Sequence, residues 1–370
     1  MNISFNGCGF MVMYHLGVVE CLRKHGPADL HLKNVSGASS GVIPAVCLLC
    51  NVPIAQITDY LLNIAILARS RPFGSFRPFA PYMNDLLRQG LEKFLPSDAH
   101  EKVNGKIHIS VTRVTDGANV ILKNFDSRDE LIQALTCSCY LPFFFGLIPP
   151  KFRDVYYMDG GLSNNLVVLD EHTITVSYFS GESHICPQDN NISTSIYIGF
   201  LLQKIANLKV ELSWTNAQRL ALCMFPPDPE TILNACQQGF DDARLFLQQN
   251  NLIVCNQCVS PVNSVANIDL TDINCLKCEA LKKTLLIGGL PEVVTLTLES
   301  AVTQANQGLL NRILQHPKMR LLAILSVPYV IPIDVAYGIL IRFAANASAI
   351  STAGKEFADL ISAFMNKRTS

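Results

Sequence analysis

In the first 180 residues, segments whose hydrophobic pattern is typical of strands alternate with segments whose pattern is typical of helices. Short runs of apolar residues, or of apolar residues at every second position, predict strands, and apolar residues three or four apart predict helices. The predicted strands are 3–5, 32–36, 106–115, 119–122, 155–158 and 173–177. The predicted helices are 10–22, 42–49, 53–69, 82–95 and 128–139. Strands interleaved with helices indicate an α/β protein whose sheet is covered on both faces.

The pattern changes after residue 180. Residues 181–195 are polar and rich in proline, asparagine and serine, which is typical of a loop or linker. Residues 231–249 have apolar positions at helical spacing. We therefore divide the chain into an α/β domain at 1–180, a linker and connecting segment at 181–230, and a mostly helical C-terminal region at 231–370.

An apolar stretch lies within this C-terminal region. Residues 321–333 carry no charge, and seven more uncharged residues follow Asp334. Pro328 and Pro332 break the helical pattern, and the stretch is shorter than the roughly 20 apolar residues that span a bilayer. Two interpretations remain open: a segment that lies in a lipid interface, and a buried helix pair that covers the α/β domain.

Composition narrows the setting in which the protein works. The chain has 370 residues, is 49% hydrophobic and has a net charge of −1. A near-neutral chain without a basic run has no general attraction for nucleic acid or acidic substrates. Its first residues do not resemble a secretory signal, and 13 cysteines without such a signal indicate reduced thiols. We expect a cytoplasmic protein.

Four of the cysteines have the spacing of a zinc ribbon. They form the pairs Cys255-x-x-Cys258 and Cys275-x-x-Cys278, and four thiolates suit tetrahedral zinc. The polar loop between the pairs has no clear strands, which a ribbon would need. Structural zinc and reduced loop thiols both remain open, and we expect no catalytic metal and no cofactor.

The candidate nucleophile is a serine in a G-x-S-x-G pattern, with Gly37, Ser39 and Gly41 at its fixed positions. A serine hydroxyl becomes nucleophilic when the backbone exposes it and a base removes its proton. The two glycines permit the tight strand-to-helix turn that this exposure needs. A strand-like run precedes the pattern and an apolar helix follows it, as such a turn requires.

Two glycine-rich turns accompany this pattern. Gly7-Cys8-Gly9 lies between a predicted strand and an apolar helix, where free backbone N–H groups could hold an oxyanion or a phosphate. A dinucleotide fingerprint is disfavoured because Val12 occupies its third glycine position. Asp159-Gly160-Gly161 follows another predicted strand and could present a carboxylate to a cleft. Each is also compatible with an ordinary tight turn.

Together, these three motifs resemble the patatin-like phospholipases, and in particular the adipose triglyceride lipase and adiponutrin branch. The similarity runs from about residue 3 to about residue 345. Further segments that resemble this branch are 14–17, 35–39, 141–143, 181–187, 222–229 and 238–243. The resemblance implies a three-layer α/β/α sandwich with a mostly helical C-terminal extension.

The resemblance also implies roles for individual residues. Ser39 would be the nucleophile, Asp159 the base of a Ser-Asp dyad without histidine, and the Gly7-Cys8-Gly9 turn the oxyanion hole. The implied reaction is hydrolysis of triacylglycerol through an acyl-enzyme at the surface of a lipid droplet or membrane, with a co-activator protein as a further partner. The resemblance also implies docking on lipid droplets through the C-terminal part, which favours the lipid interface for the apolar stretch. In this branch glycine is usual where this chain has Val12, whose side chain could hold the helix off the nucleophile turn and slow catalysis.

Three other interpretations remain open. An α/β-hydrolase triad would use His172, His184 or His316 after the acid, although no H-G-G-G segment precedes the nucleophile. A weakly active or inactive regulatory or scaffold protein on lipid droplets would follow if Val12 impairs the site. Phospholipase or acylglycerol transacylase activity would share the same acyl-enzyme.

Overall fold

The structure is a computed structural model, and it describes residues 1–27, 32–69, 81–142, 145–146, 148–189, 210–211, 213–250 and 252. The four cysteines of the zinc-ribbon pattern, His316 and the apolar stretch at 321–341 lie outside the described residues.

A mixed sheet of seven strands forms the middle layer of an α/β/α sandwich, which confirms the predicted fold class. The strands are β1 (Asn2–Phe5), β2 (Asn34–Ala38), β3 (Ile107–Arg113), β4 (Asn119–Leu122), β5 (Lys151–Phe152), β6 (Val155–Asp159) and β7 (Thr173–Val176). Strands β7, β1, β2 and β3 are parallel neighbours, and β4 and β6 pair antiparallel with β3. The central strands are buried along nearly their whole length, as expected for parallel strands covered on both faces.

Helices cover the sheet, and most lie where the hydrophobic pattern predicts them. They are α1 (Val12–His25), α2 (Val42–Cys50), α3 (Ile54–Arg69), α4 (Pro81–Phe94), α5 (Ala99–Val103), α6 (Arg128–Ser138), α7 (Trp214–Met224) and α8 (Pro229–Gln249). Helix α1 begins two residues later than predicted, because a 3-10 turn at Gly9–Met11 precedes it. The short α5 and the longer α7 were not predicted.

Strands β2 and β6 meet end to end along one edge of β3. Ser110 of β3 pairs with Ala38 of β2, and the next residue, Val111, pairs with Asp159 of β6. On the opposite edge, the same two residues of β3 pair with β4. Because β2 runs parallel and β6 antiparallel to β3, the two strands approach this point from opposite directions. The residues that follow β2 and end β6 are therefore neighbours, although about 120 positions separate them in the sequence.

Helices α1 and α8 pack with their backbones in close contact. A Cβ atom on Gly17 would lie 2.0 Å from the carbonyl oxygen of Cys236, and one on Gly239 would lie 1.9 Å from that of Tyr14. The Tyr14 hydroxyl donates a 2.7 Å hydrogen bond to Asp242 across the same contact. Residues of the predicted C-terminal region thus pack directly on the N-terminal helix. The division of the chain at 180 and 230 stays a prediction.

None of the helices in the described ranges is both long enough and apolar enough to span a lipid bilayer.

Candidate active site

Ser39 lies at the bend between β2 and α2, in a 3-10 turn formed by Ser39–Gly41. Its backbone has φ +52°, in the left-handed region that residues other than glycine rarely adopt. The two flanking glycines allow this bend because they pack directly on other backbone. A Cβ atom on Gly37 would lie 2.6 Å from the carbonyl oxygen of Gly41, and one on Gly41 would lie 2.5 Å from that of Phe5. The turn therefore has the geometry predicted from the sequence pattern.

The hydroxyl of Ser39 donates a 2.6 Å hydrogen bond to Oδ2 of Asp159. Asp159 is buried, with 5% of its surface exposed. Its other carboxylate oxygen accepts the backbone N–H of Gly161 at 2.7 Å. Burial raises the pKa of Asp159 from 3.8 to about 6, while the hydrogen bonds from Ser39 and Gly161 lower it. The carboxylate is thus mostly ionised at neutral pH and is more basic than an exposed aspartate.

Close packing of the Asp-Gly-Gly turn on the sheet fixes the position of this carboxylate. A Cβ atom on Gly160 would lie 2.0 Å from the carbonyl oxygen of Ser110. The backbone of Asp159 is held by Thr112, whose hydroxyl donates to its carbonyl oxygen at 2.7 Å, and by the carbonyl oxygen of Tyr140. The strand end is therefore held on two sides.

The three residues of the predicted oxyanion hole differ in whether their N–H groups are free. The N–H of Gly7 donates to Oδ1 of Asn165 at 2.9 Å, and that of Cys8 donates to Oγ of Ser40 at 3.0 Å. The N–H of Gly9 donates to none of the described residues. Gly9 has φ +53° and begins the 3-10 turn before α1, a position from which an N–H group points outward.

Gly7 lies directly against the candidate nucleophile. A Cβ atom on Gly7 would lie 2.6 Å from Cβ of Ser39 and 2.5 Å from Oδ1 of Asn165. Only glycine therefore fits between the serine turn and Asn165. This contact brings the glycine-rich turn and the dyad into one site.

Three residues that the sequence analysis did not single out hold the turns together. Asn165 brackets Gly7, because its Nδ2 also donates to the carbonyl oxygen of Gly7 at 3.2 Å. Ser40 accepts the N–H of Cys8. Ser138, at the end of α6, accepts the N–H of Ser39 at 3.0 Å and donates to the carbonyl oxygen of Ser110 at 2.7 Å.

Beneath the glycine-rich turn, His15 of α1 supports the preceding strand end. Its Nε2 lies 2.9 Å from the carbonyl oxygen and 3.0 Å from the side-chain oxygen of Asn6. Burial lowers the pKa of His15 to about 4, so the ring is neutral at physiological pH. A neutral ring there donates a hydrogen bond without adding charge to the site.

Val12 is 4% exposed and is the first residue of α1, and it lines the cavity beside Gly9 and Ser39. The hydrogen bond between Cys8 and Ser40 is formed at an ordinary distance in its presence. In this structure the valine therefore does not separate α1 from the nucleophile turn. Its effect on catalysis stays a matter for experiment.

A cavity of about 670 Å³ opens onto the dyad. Ser39, Asp159 and the Gly7-Cys8-Gly9 turn line its polar end, and mostly apolar side chains line the rest. The apolar lining includes Ile43, Leu61, Ile64, Leu87, Leu141 and Phe179. Such a cavity accommodates a hydrophobic ligand with one polar reacting group.

The histidines available for a triad do not lie at this site in the described residues. None of the described residues that line the cavity is a histidine. His172 is exposed beside Glu171, and Nδ1 of His184 interacts with the hydroxyl and N–H of Thr175. Among the residues that the structure describes, no group of three or more His, Cys, Asp or Glu side chains could hold a metal ion.

An α/β/α sandwich in which a serine in a left-handed turn meets a buried carboxylate has the arrangement expected of an enzyme with a serine nucleophile. Residues 3–170 match the family model described as patatin-like phospholipase. The chain belongs to the patatin-like phospholipase family.

Three relatives illustrate this membership. The 1-acylglycerol-3-phosphate O-acyltransferase of Mus musculus is 36% identical over 90% of this chain and 81% of its own length. Human patatin-like phospholipase domain-containing protein 2 is 42% identical over 68% of this chain and 49% of its own length. Human omega-hydroxyceramide transacylase is 35% identical over 69% of this chain and 47% of its own length. The aligned part thus spans about half the length of the two human relatives.

Proposed function

We propose that this protein is a carboxylic ester hydrolase that acts on acylglycerols, with triacylglycerol as its main substrate. The observation that carries the proposal is the 2.6 Å hydrogen bond from the Ser39 hydroxyl to Asp159 at the polar end of a largely apolar cavity. The serine supplies a nucleophile, the carboxylate supplies a base, and the cavity suits an acyl chain. The names of the relatives support an acyl ester as the substrate class.

The reaction begins when Asp159 takes the proton of Ser39 and the serine oxygen attacks the ester carbonyl carbon. The carbonyl oxygen becomes an oxyanion, and the free N–H of Gly9 is the donor best placed to hold it. One such donor contributes about 3 kcal/mol to transition-state stabilisation. Gly7 and Cys8, whose N–H groups have protein acceptors, shape the turn that presents Gly9.

Collapse of the tetrahedral intermediate breaks the ester C–O bond. The diacylglycerol oxygen leaves with the proton from Asp159, and the acyl group stays on Ser39. Water then gives its proton to Asp159 and attacks the acyl carbon, which releases the fatty acid and returns the proton to Ser39. If the hydroxyl of a second lipid enters in place of water, the same intermediate yields acyl transfer, which the names of two relatives favour as the alternative activity.

The proposed setting is the surface of lipid droplets in the cytoplasm, where triacylglycerol is stored, with a co-activator protein as a further partner. These proposals rest on the family resemblance. The apolar cavity is compatible with them because an apolar lining suits a ligand that partitions into lipid.

The dyad is tested by replacing its two members separately. We expect Ser39→Ala and Asp159→Asn to abolish triolein hydrolysis. Both variants should keep the circular dichroism spectrum of the unmodified protein and should still unfold cooperatively on heating. A fluorophosphonate probe with peptide mapping should label Ser39 in the unmodified protein and in the control Ser183→Ala, and should not label Ser39→Ala. Full activity in either dyad variant would show that the dyad is misassigned.

A further inference from the structure

Helix α7 carries apolar side chains on the surface beside the cavity. Trp214 is 72% exposed and Leu220 is 55% exposed. Leu220 also lines the cavity, as does Leu162, which is 40% exposed and follows the Asp-Gly-Gly turn. Because both leucines contact the cavity and the solvent, the cavity reaches the molecular surface between α7 and this turn. We call Leu162, Trp214 and Leu220 the apolar lip.

The inner side of α7 is polar and firmly held. The buried Asn216 accepts the N–H of Ser180 at 3.0 Å and donates to its carbonyl oxygen at 2.8 Å. The buried Arg219 makes two 2.8 Å hydrogen bonds to Asp189. Two polar side chains of α7 therefore point inward while Trp214 and Leu220 are exposed, although Cys223 and Leu222 of the same helix pack on the protein core.

The other end of α7 contacts the catalytic turn. A Cβ atom on Gly9 would lie 2.1 Å from the carbonyl oxygen of Cys223, so the helix rests on the turn that presents the free N–H. The helix that carries Trp214 and Leu220 therefore contacts the turn that carries the proposed oxyanion donor. A ligand that crosses the lip enters directly beside the dyad.

We propose that the apolar lip inserts into the surface of a neutral-lipid droplet and holds the cavity mouth against it; this rests on the proposed function. The lip residues carry no charge, and the cation of α7, Arg219, is already paired with Asp189. The attraction is therefore apolar, which favours a triacylglycerol core exposed between zwitterionic headgroups over an anionic bilayer. Tryptophan suits this boundary because its ring is apolar and its N–H is polar.

The test uses the intrinsic fluorescence of the full chain, because Trp214 is its single tryptophan. We expect the emission to shift to shorter wavelength when a triolein emulsion coated with phosphatidylcholine is added, and brominated lipid to quench it. The shift should be unchanged between low and high salt, since no ion pairs are involved. An unshifted emission would overturn the proposal. Emission that is already blue-shifted without lipid would also overturn it, since another segment or a second copy then covers the lip.

Activity measurements separate this proposal from the proposed function. We expect Trp214→Gln to lower hydrolysis of the triolein emulsion by about tenfold and to leave hydrolysis of soluble p-nitrophenyl butyrate unchanged. The matched control is Leu245→Gln on α8, which is 43% exposed and is not among the residues that line the cavity, so it should alter neither rate. Equal loss of both rates in Trp214→Gln would contradict docking. If the unmodified protein hydrolyses neither ester, the proposed function fails, and the fluorescence shift alone decides the docking.

Discussion

Ser39 has a backbone conformation that serine seldom adopts, and other parts of the chain hold it there. The left-handed φ costs of order 1 kcal/mol or more. The surrounding contacts offset this cost: Ser138 accepts the serine N–H, and the flanking glycines allow the backbone to pass close to β1. The strain exposes the hydroxyl to a carboxylate that comes from another strand.

Asn165, four residues after the Asp159-Gly160-Gly161 turn, holds the glycine-rich turn through two hydrogen bonds to Gly7. We expect Asn165→Ala to lower kcat by about tenfold to a hundredfold with little change in KM. The reason is that the turn loses both hydrogen bonds between Asn165 and Gly7, which hold the neighbouring Gly9 in position. Asn165→Asp keeps an acceptor for the Gly7 N–H and adds a negative charge near Asp159. The acidic limb of its pH–rate profile should therefore move to higher pH.

The neighbouring Asn164 provides a control for this prediction. Its side-chain oxygen is buried and has no hydrogen-bond partner in the described part of the chain. Asn164→Ala should retain kcat and the position of the acidic limb. An Asn165→Asp profile identical to that of the unmodified protein would show that Asn165 does not act through the site.

The sequence was sufficient to predict which serine and which aspartate would meet, because glycine patterns mark tight turns and family motifs add their order. It did not reveal Asn165, Ser40 or Ser138. These residues act through hydrogen bonds to backbone groups 32 to 158 positions away, and such pairings are set by the sheet register. Asn165 lies four residues after Gly161, and this spacing is the only local signal.

Glycine at two positions lets α1 and α8 approach closely. We expect Gly239→Ala to lower the free energy of unfolding by about 1 to 3 kcal/mol, since its Cβ would overlap the carbonyl oxygen of Tyr14 and force the helices apart. Urea denaturation followed by circular dichroism measures this change. Asn234→Ala, at an exposed position of the same helix, should be neutral or slightly stabilising. Equal stability of both variants would contradict the close packing.

Replacement of Val12 tests whether the side chain at the start of α1 limits catalysis. Because the glycine-rich turn already reaches Ser40 at 3.0 Å, we expect Val12→Gly to leave kcat for a soluble ester within about threefold. Stability should fall, since a buried valine is lost and glycine disfavours a helix. A gain in kcat of a hundredfold or more would contradict this and would favour the weakly active, regulatory interpretation.

Within the described part of the chain, the predicted helices and the unpredicted helix α7 differ in their hydrophobic pattern. Helices α2 and α3 have continuous or periodic apolar residues that face the core, and periodicity finds them. Helix α7 buries the polar Asn216 and Arg219 and exposes Trp214 and Leu220, so its apolar residues do not form a single stripe that faces the core. Periodicity predicts burial of apolar side chains, and it fails where polar side chains are buried and apolar ones are exposed.

At the scale of the whole molecule, the site depends on the order of strands in the sheet. Strands β2 and β6 share one edge of β3, which brings Ser39 and Asp159 together at the point where both strands end. Any change in the β3–β6 register would move Asp159 by at least 3 Å, roughly one residue along a strand. Hence the hydrogen bond between Ser39 and Asp159 requires that β2 and β6 both pair with β3 in this register.

The same buried carboxylate should affect activity and stability in opposite directions as pH changes. The pKa of Asp159 is raised to about 6 in the folded protein. The proposed base Asp159 must be ionised to take the proton of Ser39, so kcat/KM should fall below a midpoint near pH 6. Protonated Asp159 stabilises the fold relative to the ionised form. This contribution is fully present below the unfolded pKa and is lost as pH rises through 6.

Asp159→Asn separates the two effects, since asparagine keeps the shape and removes the charge. The rise of the pKa from 3.8 to about 6 corresponds to about 3 kcal/mol. We therefore expect this variant to be inactive yet more stable than the unmodified protein at pH 8 by up to that amount, with the difference vanishing below about pH 4. Asp170, whose pKa is lowered by its hydrogen bonds to Thr173 and Asn2, provides the opposite case. Asp170→Asn should be less stable than the unmodified protein at pH 8. If Asp159→Asn is also less stable at pH 8, then the ionised form of Asp159 does not destabilise the folded protein.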